Sequence, residues 1–251
     1  MHRPSVPEAD GWRHAPARWV AGAFDFLLGG PRVGGMLADR LSAWSRRPRP
    51  SDVRRHAEVR YVVMDSETSG LDLARDHLIA LGAIAIERGR VALGDAFAAV
   101  LRQDAASAHA NILIHGIGGT AQRGGREPPE ALIAFLEYAG KDPLVAWRAD
   151  FDRTVLVRAC REILGIDPRL VFIDLAWLLP ALFRGTSCDS LDDWLAHFGI
   201  DAGARHDAVG DAWATAQLAL VAFDAAGRAG MRTPRDLVAM QKAQAWLGTR
   251  R

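Results

Sequence analysis

The chain is poor in cysteine. Cys160 and Cys188 are the only two in 251 residues, without the spacing of a metal or redox motif, so a disulfide framework is excluded and the pattern fits a reducing cytosol. Lysine is equally scarce: Lys141 and Lys242 stand alone, and every other basic side chain that is always charged is arginine. The guanidinium fork suits phosphate, although a bias in genome composition leaves the same imprint. Long apolar runs are missing, and Glu8, Asp10 and Arg13 occupy the region where a secretory signal needs an apolar core, so neither a membrane span nor export is expected. These absences make the expected location cytoplasmic, with no membrane partner. A net charge of +1 is too small to name a ligand, but Arg46, Arg47, Arg49, Arg54 and Arg55 crowd around Asp52. Internal repeats and low-complexity tracts are lacking too.

What remains is ordinary globular material, 49% hydrophobic and 24% charged, enough for one domain with a full core and an appendage or for two small domains. Residues 1–56 form an N-terminal helical extension and Arg/Pro-rich linker. In it, Trp19 to Leu28 and Gly35 to Trp44 are short amphipathic stretches broken by Gly29, Gly30 and Pro31, followed by "RRPRPSDVRR". The extension either packs on the main domain or docks a protein partner. From Tyr61 the pattern turns to strands: Tyr61 to Asp65, Ile79 to Glu87 and Val91 to Leu101, the last two joined by "RGR" as a hairpin. A helix from Pro128 to Tyr138, a strand from Leu144 to Trp147, a helix from Phe151 to Leu164 and a strand from Leu170 to Ile173 follow. Asp189 or Ser190 caps a helix containing Leu191, Trp194 and Leu195. A long helix runs from Ala208 to about Ala222, and residues 230–251 form a helical tail. A strand meander followed by strand–helix alternation makes the fold class α/β, with a mixed sheet.

The stretch "YVVMDSETSGLD" sets an electrostatic problem. Asp65 and Glu67, two residues apart on a strand, point the same way, and two carboxylates forced together disfavour their own ionisation unless a cation lies between them. Asp150 and Asp152, Asp174, and the group His206, Asp207 and Asp211 also stand where strands hand over to helices, where ligand sites of α/β folds gather. Taken singly, Asp174, Asp189 and Asp207 read as helix caps. Small residues around Asp211, namely Ala208, Ala214 and Thr215, would let its helix approach the strand closely.

"DSETSGLD", Phe151-Asp152 and "HDAVGD" from His206 to Asp211 resemble the three motifs of the DnaQ-like 3′-to-5′ exonucleases. The likeness is to the DEDDh group, which includes the proofreading subunit of bacterial DNA polymerase III. "IHGIGGTA" around His115 and "FIDLAWLLPAL" resemble two further family segments, and the likeness covers about Val59 to Phe223, so the exonuclease domain is expected at 57–229. The resemblance implies a ribonuclease H-like mixed sheet flanked by helices. It implies Asp65, Glu67, Asp152 and Asp211 as ligands of two divalent cations, Mg²⁺ or Mn²⁺, with His206 as general base. Hard cations prefer carboxylate oxygen, and a pair of them clamps the attacking and leaving oxygens of a phosphoryl displacement; histidine titrates near neutrality and can take a proton from the attacking water. Five helical residues separate positions by about 140°, so His206 and Asp211 converge only if His206 precedes the regular helix. The tyrosine-type relatives carry Tyr four residues before the last Asp, where this chain has Asp207.

The same resemblance places Thr68, Leu71 and His115 at the substrate, with a buried turn leucine as the alternative for Leu71. Trp147 and Arg148 stand where the family commonly has His-Asn and are expected to border the groove for the 3′ end, Trp147 either stacking on a base or filling the core. The implied substrate is a single-stranded nucleic acid 3′ end, DNA favoured over RNA, cut to nucleoside 5′-monophosphates. Residues 1–50 could contact a polymerase or another protein. An exoribonuclease acting on short RNA and a noncatalytic nucleic-acid- or polymerase-binding module are the alternatives.

Overall fold

The computed structural model describes residues 32–201 and 207–248. The expected helix at Trp19 to Leu28 and the base at His206 lie outside the described residues. Helix α1 (Gly35–Ser45) precedes strand β1 (Tyr61–Thr68), which is followed by β2 (Leu78–Glu87) and β3 (Arg90–Val100). Two short helices, α2 (His109–His115) and α3 (Gly119–Arg123), and a longer α4 (Pro128–Ala139) lead to β4 (Leu144–Ala146). Helix α5 (Asp150–Ala159) runs into a π-helical turn, Cys160–Leu164, before β5 (Phe172–Asp174). Then come α6 (Leu175–Leu182), α7 (Leu191–His197), α8 (Ala208–Arg228) and α9 (Pro234–Gly248).

The sheet has the order β3-β2-β1-β4-β5. β1, β2 and β3 form the antiparallel meander, whereas β4 and β5 run parallel to β1. The hairpin expected at "RGR" is present: Glu87 pairs with Arg90 across a two-residue turn in which both Arg88 (φ 52°) and Gly89 (φ 70°) are left-handed, the twist that matches a right-twisted ribbon. Both faces of the sheet are covered, which is why β1 reads as an unbroken apolar run instead of an alternation. Val62 and Met64 join one core with Leu132, Phe135, Leu136 and Leu156, on the side of α4 and α5. Tyr61 and Val63 join the other with Leu178, Trp194, Ala212, Ala216 and Ala219, on the side of α6, α7 and α8.

Several boundaries differ from the sequence expectation, β1 among them, which runs past Asp65 to Thr68. Helix α5 gives way to π geometry at Cys160 and stops at left-handed Gly165 (φ 73°), as glycine at a helix end allows. β5 is displaced to Phe172–Asp174, and α8 extends to Arg228. Helices α2 and α3 had no expected counterpart, because each is under three turns and they are separated by the left-handed Gly116 (φ 69°). Their geometry is locked from within: buried Gln122 donates to Ser107 Oγ (2.9 Å) and the Ile117 carbonyl (2.8 Å) and accepts from the Ser107 N–H (2.8 Å).

The described part of the N-terminal extension packs on the domain. Leu41 and Trp44 of α1 are buried in the first core, the Trp44 indole donates to the Gly140 carbonyl at 2.8 Å, and Arg40 forks onto Glu137 of α4. In the tail, Gln241 of α9 accepts from the Asp174 N–H and donates to the Phe172 carbonyl, both at 2.9 Å. That side chain satisfies the outer edge of β5 as a neighbouring strand would.

Candidate active site

Because β1, β4 and β5 are parallel, their carboxyl ends fall on one edge of the sheet, and the first turns of α5 and α6 start there. Asp65 and Glu67 lie near the end of β1, half-buried and on the face that carries Tyr61 and Val63. From that face α8 brings Asp211, in its first turn and 6% exposed. Each of the three carboxylates offers an oxygen within 4.8 Å of the other two. Opposed oxygens in the coordination sphere of a hard divalent cation stand about 4 to 5 Å apart, so this donor set fits such an ion.

Gly82 sets the closeness of α8. In β2 it is paired with Asp65, and a Cβ built there would come within 2.5 Å of the Val209 nitrogen and closer still to the carbonyl of Ala208. Only a residue without a side chain lets the start of the helix lie against the strand. Asp207 caps that helix, its Oδ2 accepting from the Gly210 N–H at 3.0 Å, in line with the cap expected there. The helix starts at Ala208, so position 206 precedes it in the chain.

Asp152 approaches from α5 and stands outside the triad. It is 4% exposed, and Ser66, the residue between Asp65 and Glu67, donates from Oγ to its Oδ1 at 2.6 Å. Burial pushes the Asp152 carboxyl up to about 7, opposed by the hydrogen bonds from Ser66 and reinforced by the nearby charge of Asp174. The strand thus presents Asp65 and Glu67 to α8 on one face and, through Ser66, grips Asp152 on the other. Ser66 and Gly82 are the members of this arrangement that motif reasoning passed over. Ser66 was legible as the odd residue of the Asp-x-Glu pair, since strand alternation turns it to the opposite face; Gly82 carried no local signal.

Asp174 caps α6, accepting from the Ala176 N–H at 2.9 Å, and burial raises its carboxyl to about 6 against the backbone donors of Ala176, Arg148 and Ala149. Ser190, not Asp189, caps α7, in a reciprocal box with Asp193. Thr68 is buried and its hydroxyl closes a turn onto the Gly70 carbonyl at 2.6 Å. Leu71, three residues on, is 86% exposed, which overturns the alternative of a buried turn leucine. His115 is buried, with Nδ1 accepting from the Ile117 N–H at 3.0 Å and Nε2 3.3 Å from Ser107 Oγ; its ring fastens the α2–α3 turn, and burial lowers its basicity. Trp147 is half-buried against the second core, while Arg148 is exposed and left-handed (φ 54°). Both line a cavity of about 400 Å³ with Asp150, Asp174, Trp177 and Cys188.

Residues 62–219 match the RNase T exonuclease family model. Among curated proteins the chain is 29% identical over 170 residues to the PolC-type DNA polymerase III of Thermotoga maritima, covering 68% of this chain and 12% of that protein. It is 30% identical over 177 residues to a DNA polymerase III subunit epsilon-like protein of Rhodobacter capsulatus, covering 69% of this chain and 25% of that one. It therefore spans only a small part of these relatives' length. Among solved structures, Escherichia coli exonuclease I in complex with a dT13 oligonucleotide aligns with a TM-score of 0.59 at 19% identity, over 68% of this chain and 42% of that one. Exonuclease X in complex with 5′ overhanging duplex DNA aligns with a TM-score of 0.58 at 19% identity, over 72% and 99%. The five-stranded mixed sheet flanked by helices is thus the ribonuclease H-like fold of these nucleases, and, with the family model matched across most of the domain, the chain belongs to the DnaQ-like exonuclease family.

Proposed function

We propose that this protein is a metal-dependent 3′-to-5′ exonuclease that shortens single-stranded DNA from its 3′ end and releases nucleoside 5′-monophosphates. The observation that carries this is the meeting of Asp65, Glu67 and Asp211, from a strand and a helix 140 residues apart in the chain, within the reach of one cation. Asp65, Glu67, Asp152 and Asp211 are assigned as the holders of two divalent cations, Mg²⁺ or Mn²⁺. Such ions supply a positive field for the charge that develops on the phosphate and favour ionisation of water.

The chain's own residues do the rest. The hydroxyl of Ser66 fixes the rotamer of Asp152, so the carboxyl is oriented before substrate arrives. His206 is assigned to take the proton of the attacking water, a task suited to a group titrating near neutrality. The exposed Leu71 offers an apolar face to the terminal base, and Arg148 offers a guanidinium to the backbone beyond it. Thr68 and His115 act at one remove, holding the turns that shape this edge. DNA is the favoured substrate because the structures of similar fold are described with DNA; the relatives named as polymerase III components make a polymerase the favoured partner for residues 1–50. Among the described residues no helix is long and apolar enough to cross a membrane.

The test is cleavage of 5′-labelled single-stranded DNA and RNA oligomers with Mg²⁺, with Mn²⁺ and after chelation. A ladder shortening from the 3′ end, abolished by chelation and faster on DNA, is expected. Metal-independent cleavage, shortening from the 5′ end or inert protein at saturating metal would overturn the assignment.

A further inference from the structure

At the opposite end of the sheet the charge has the other sign. Pro143 and Val171 immediately precede the parallel strands β4 and β5, so they mark the edge remote from the carboxylates. Both line a cavity of about 480 Å³ whose other walls include Arg49, Lys141, Arg235 and Lys242, with Asp52 as the only carboxylate among the lining residues. Asp52 is already committed: Arg235 forks onto it with two 3.0 Å contacts. That leaves Arg49, Lys141 and Lys242, three cations around one cavity in a chain whose whole formal charge is +1. Both lysines of the sequence are among them.

Gathering like charges is costly unless something of opposite sign binds there. Lys141 registers that cost. Its ammonium sits over the Trp44 ring, 3.0 Å from the centroid, and burial, with Arg49 and Arg47 nearby, pulls it down to about 8. Arg49 is held in place by donating to the Arg169 carbonyl at 2.5 Å, so its position is preset. Of the remaining walls, Val59, Pro143, Val171 and Val238 are apolar, as are Pro50 and Pro234, with Ser51 the one further polar residue. A cationic rim over an apolar floor, with a volume in the ordinary range for small ligands, suits a small anion that carries an uncharged body.

We propose that this cavity is a second, noncatalytic binding site for a phosphate monoester of mononucleotide size. The site is independent of the carboxylate cluster. Phosphate accepts from all three cations, and the apolar floor takes the attached body.

The scarcity of lysine makes the test direct, because full-length protein labelled with ¹⁵N-lysine carries only two side-chain ammonium signals. Metal-free protein is titrated with inorganic phosphate, with deoxyadenosine 5′-monophosphate and with sodium chloride at matched ionic strength. Both lysine signals should move saturably with the two phosphates, the mononucleotide binding about tenfold more tightly because of the apolar floor. The groups facing Lys141 are Trp44, Arg47 and Arg49, with Asp52, Arg235 and Lys242 across the cavity, so a bound dianion should raise its titration midpoint. Lys242→Gln and Arg49→Gln, both on exposed side chains, should each weaken mononucleotide binding by about tenfold while the Lys141 signal still reports. Unmoved lysine signals, identical shifts with sodium chloride, or unchanged affinity in both variants would overturn the site. So would binding of a single-stranded oligonucleotide without binding of the mononucleotide. With no metal present, none of these outcomes depends on the exonuclease assignment.

Discussion

Replacing Gly82 with alanine tests whether the close approach of α8 to β2 builds the carboxylate cluster. The added methyl would meet main chain, the Val209 nitrogen at 2.5 Å and the Ala208 carbonyl closer still, and neither can swing aside as a flexible side chain would. Ordinary contact begins near 3.4 Å, so the start of the helix must retreat by about 1 Å. Asp211 lies on that first turn, three residues beyond Ala208, and moves with it. Overpacking of this kind costs about 1 to 3 kcal/mol of stability, and a displacement of about 1 Å at a reacting centre costs roughly 10²-fold in rate. The expected outcome for Gly82→Ala is a folded protein with a lowered unfolding midpoint, weakened Mg²⁺ or Mn²⁺ binding by calorimetry and roughly 10²-fold slower cleavage. Gly94→Ala is the control, because a methyl there meets nothing within 4 Å. If Gly82→Ala cleaved and bound metal as Gly94→Ala does, the idea that this glycine sets the spacing of the site would be refuted.

Asp65→Ala, Glu67→Ala and Asp152→Ala should each abolish metal-dependent cleavage while circular dichroism shows the fold retained; full turnover in any one would remove that residue from the site. Saturating Mg²⁺ or Mn²⁺ should raise the melting temperature of the unaltered protein by linkage, and less so for Asp65→Ala. His206→Ala should lower turnover by roughly 10² to 10⁴ with metal binding kept; simultaneous loss of metal would make it a ligand instead. Arg148→Gly relieves a left-handed residue and should leave stability unchanged or higher, yet weaken 3′-end affinity and reduce its salt slope by about one, as read by anisotropy at several salt concentrations. Stability should also fall in mild acid through His56, whose basicity is lowered by burial beside the Tyr61 hydroxyl (2.7 Å) and the Phe223 ring. Below about pH 6.5 the unfolded chain takes up this proton first, whereas the raised carboxyls of Asp152 and Asp174 take up theirs first in the folded chain and act the other way. The urea midpoint of the unaltered protein should therefore fall relative to that of His56→Gln between pH 7.5 and pH 5.5.

The order of elements was readable in the residues alone, because the period of the apolar pattern and the turn chemistry are local. "RGR" between β-rich runs is a hairpin, Pro128 opens α4, and the unbroken Tyr61 to Met64 run is a strand covered on both faces. The three carboxylates that the structure gathers, Asp65, Glu67 and Asp211, were equally open to motif reading, since motifs preserve spacing along the chain. Helices α2 and α3 were not, being too short for a period to show and held by the side chain of Gln122. Nor could sequence divide the four carboxylates into the triad of Asp65, Glu67 and Asp211 and the separate, Ser66-bound Asp152, because that depends on which face of β1 each helix approaches. The same holds for Gly82 against Ala208, for α1 buried through Leu41 and Trp44, and for Lys141 and Lys242 meeting around one cavity. Local order comes from interactions between near neighbours in the chain, which the sequence lists; these juxtapositions join residues as far apart as Asp65 and Asp211, and only the packed sheet brings them to contact distance.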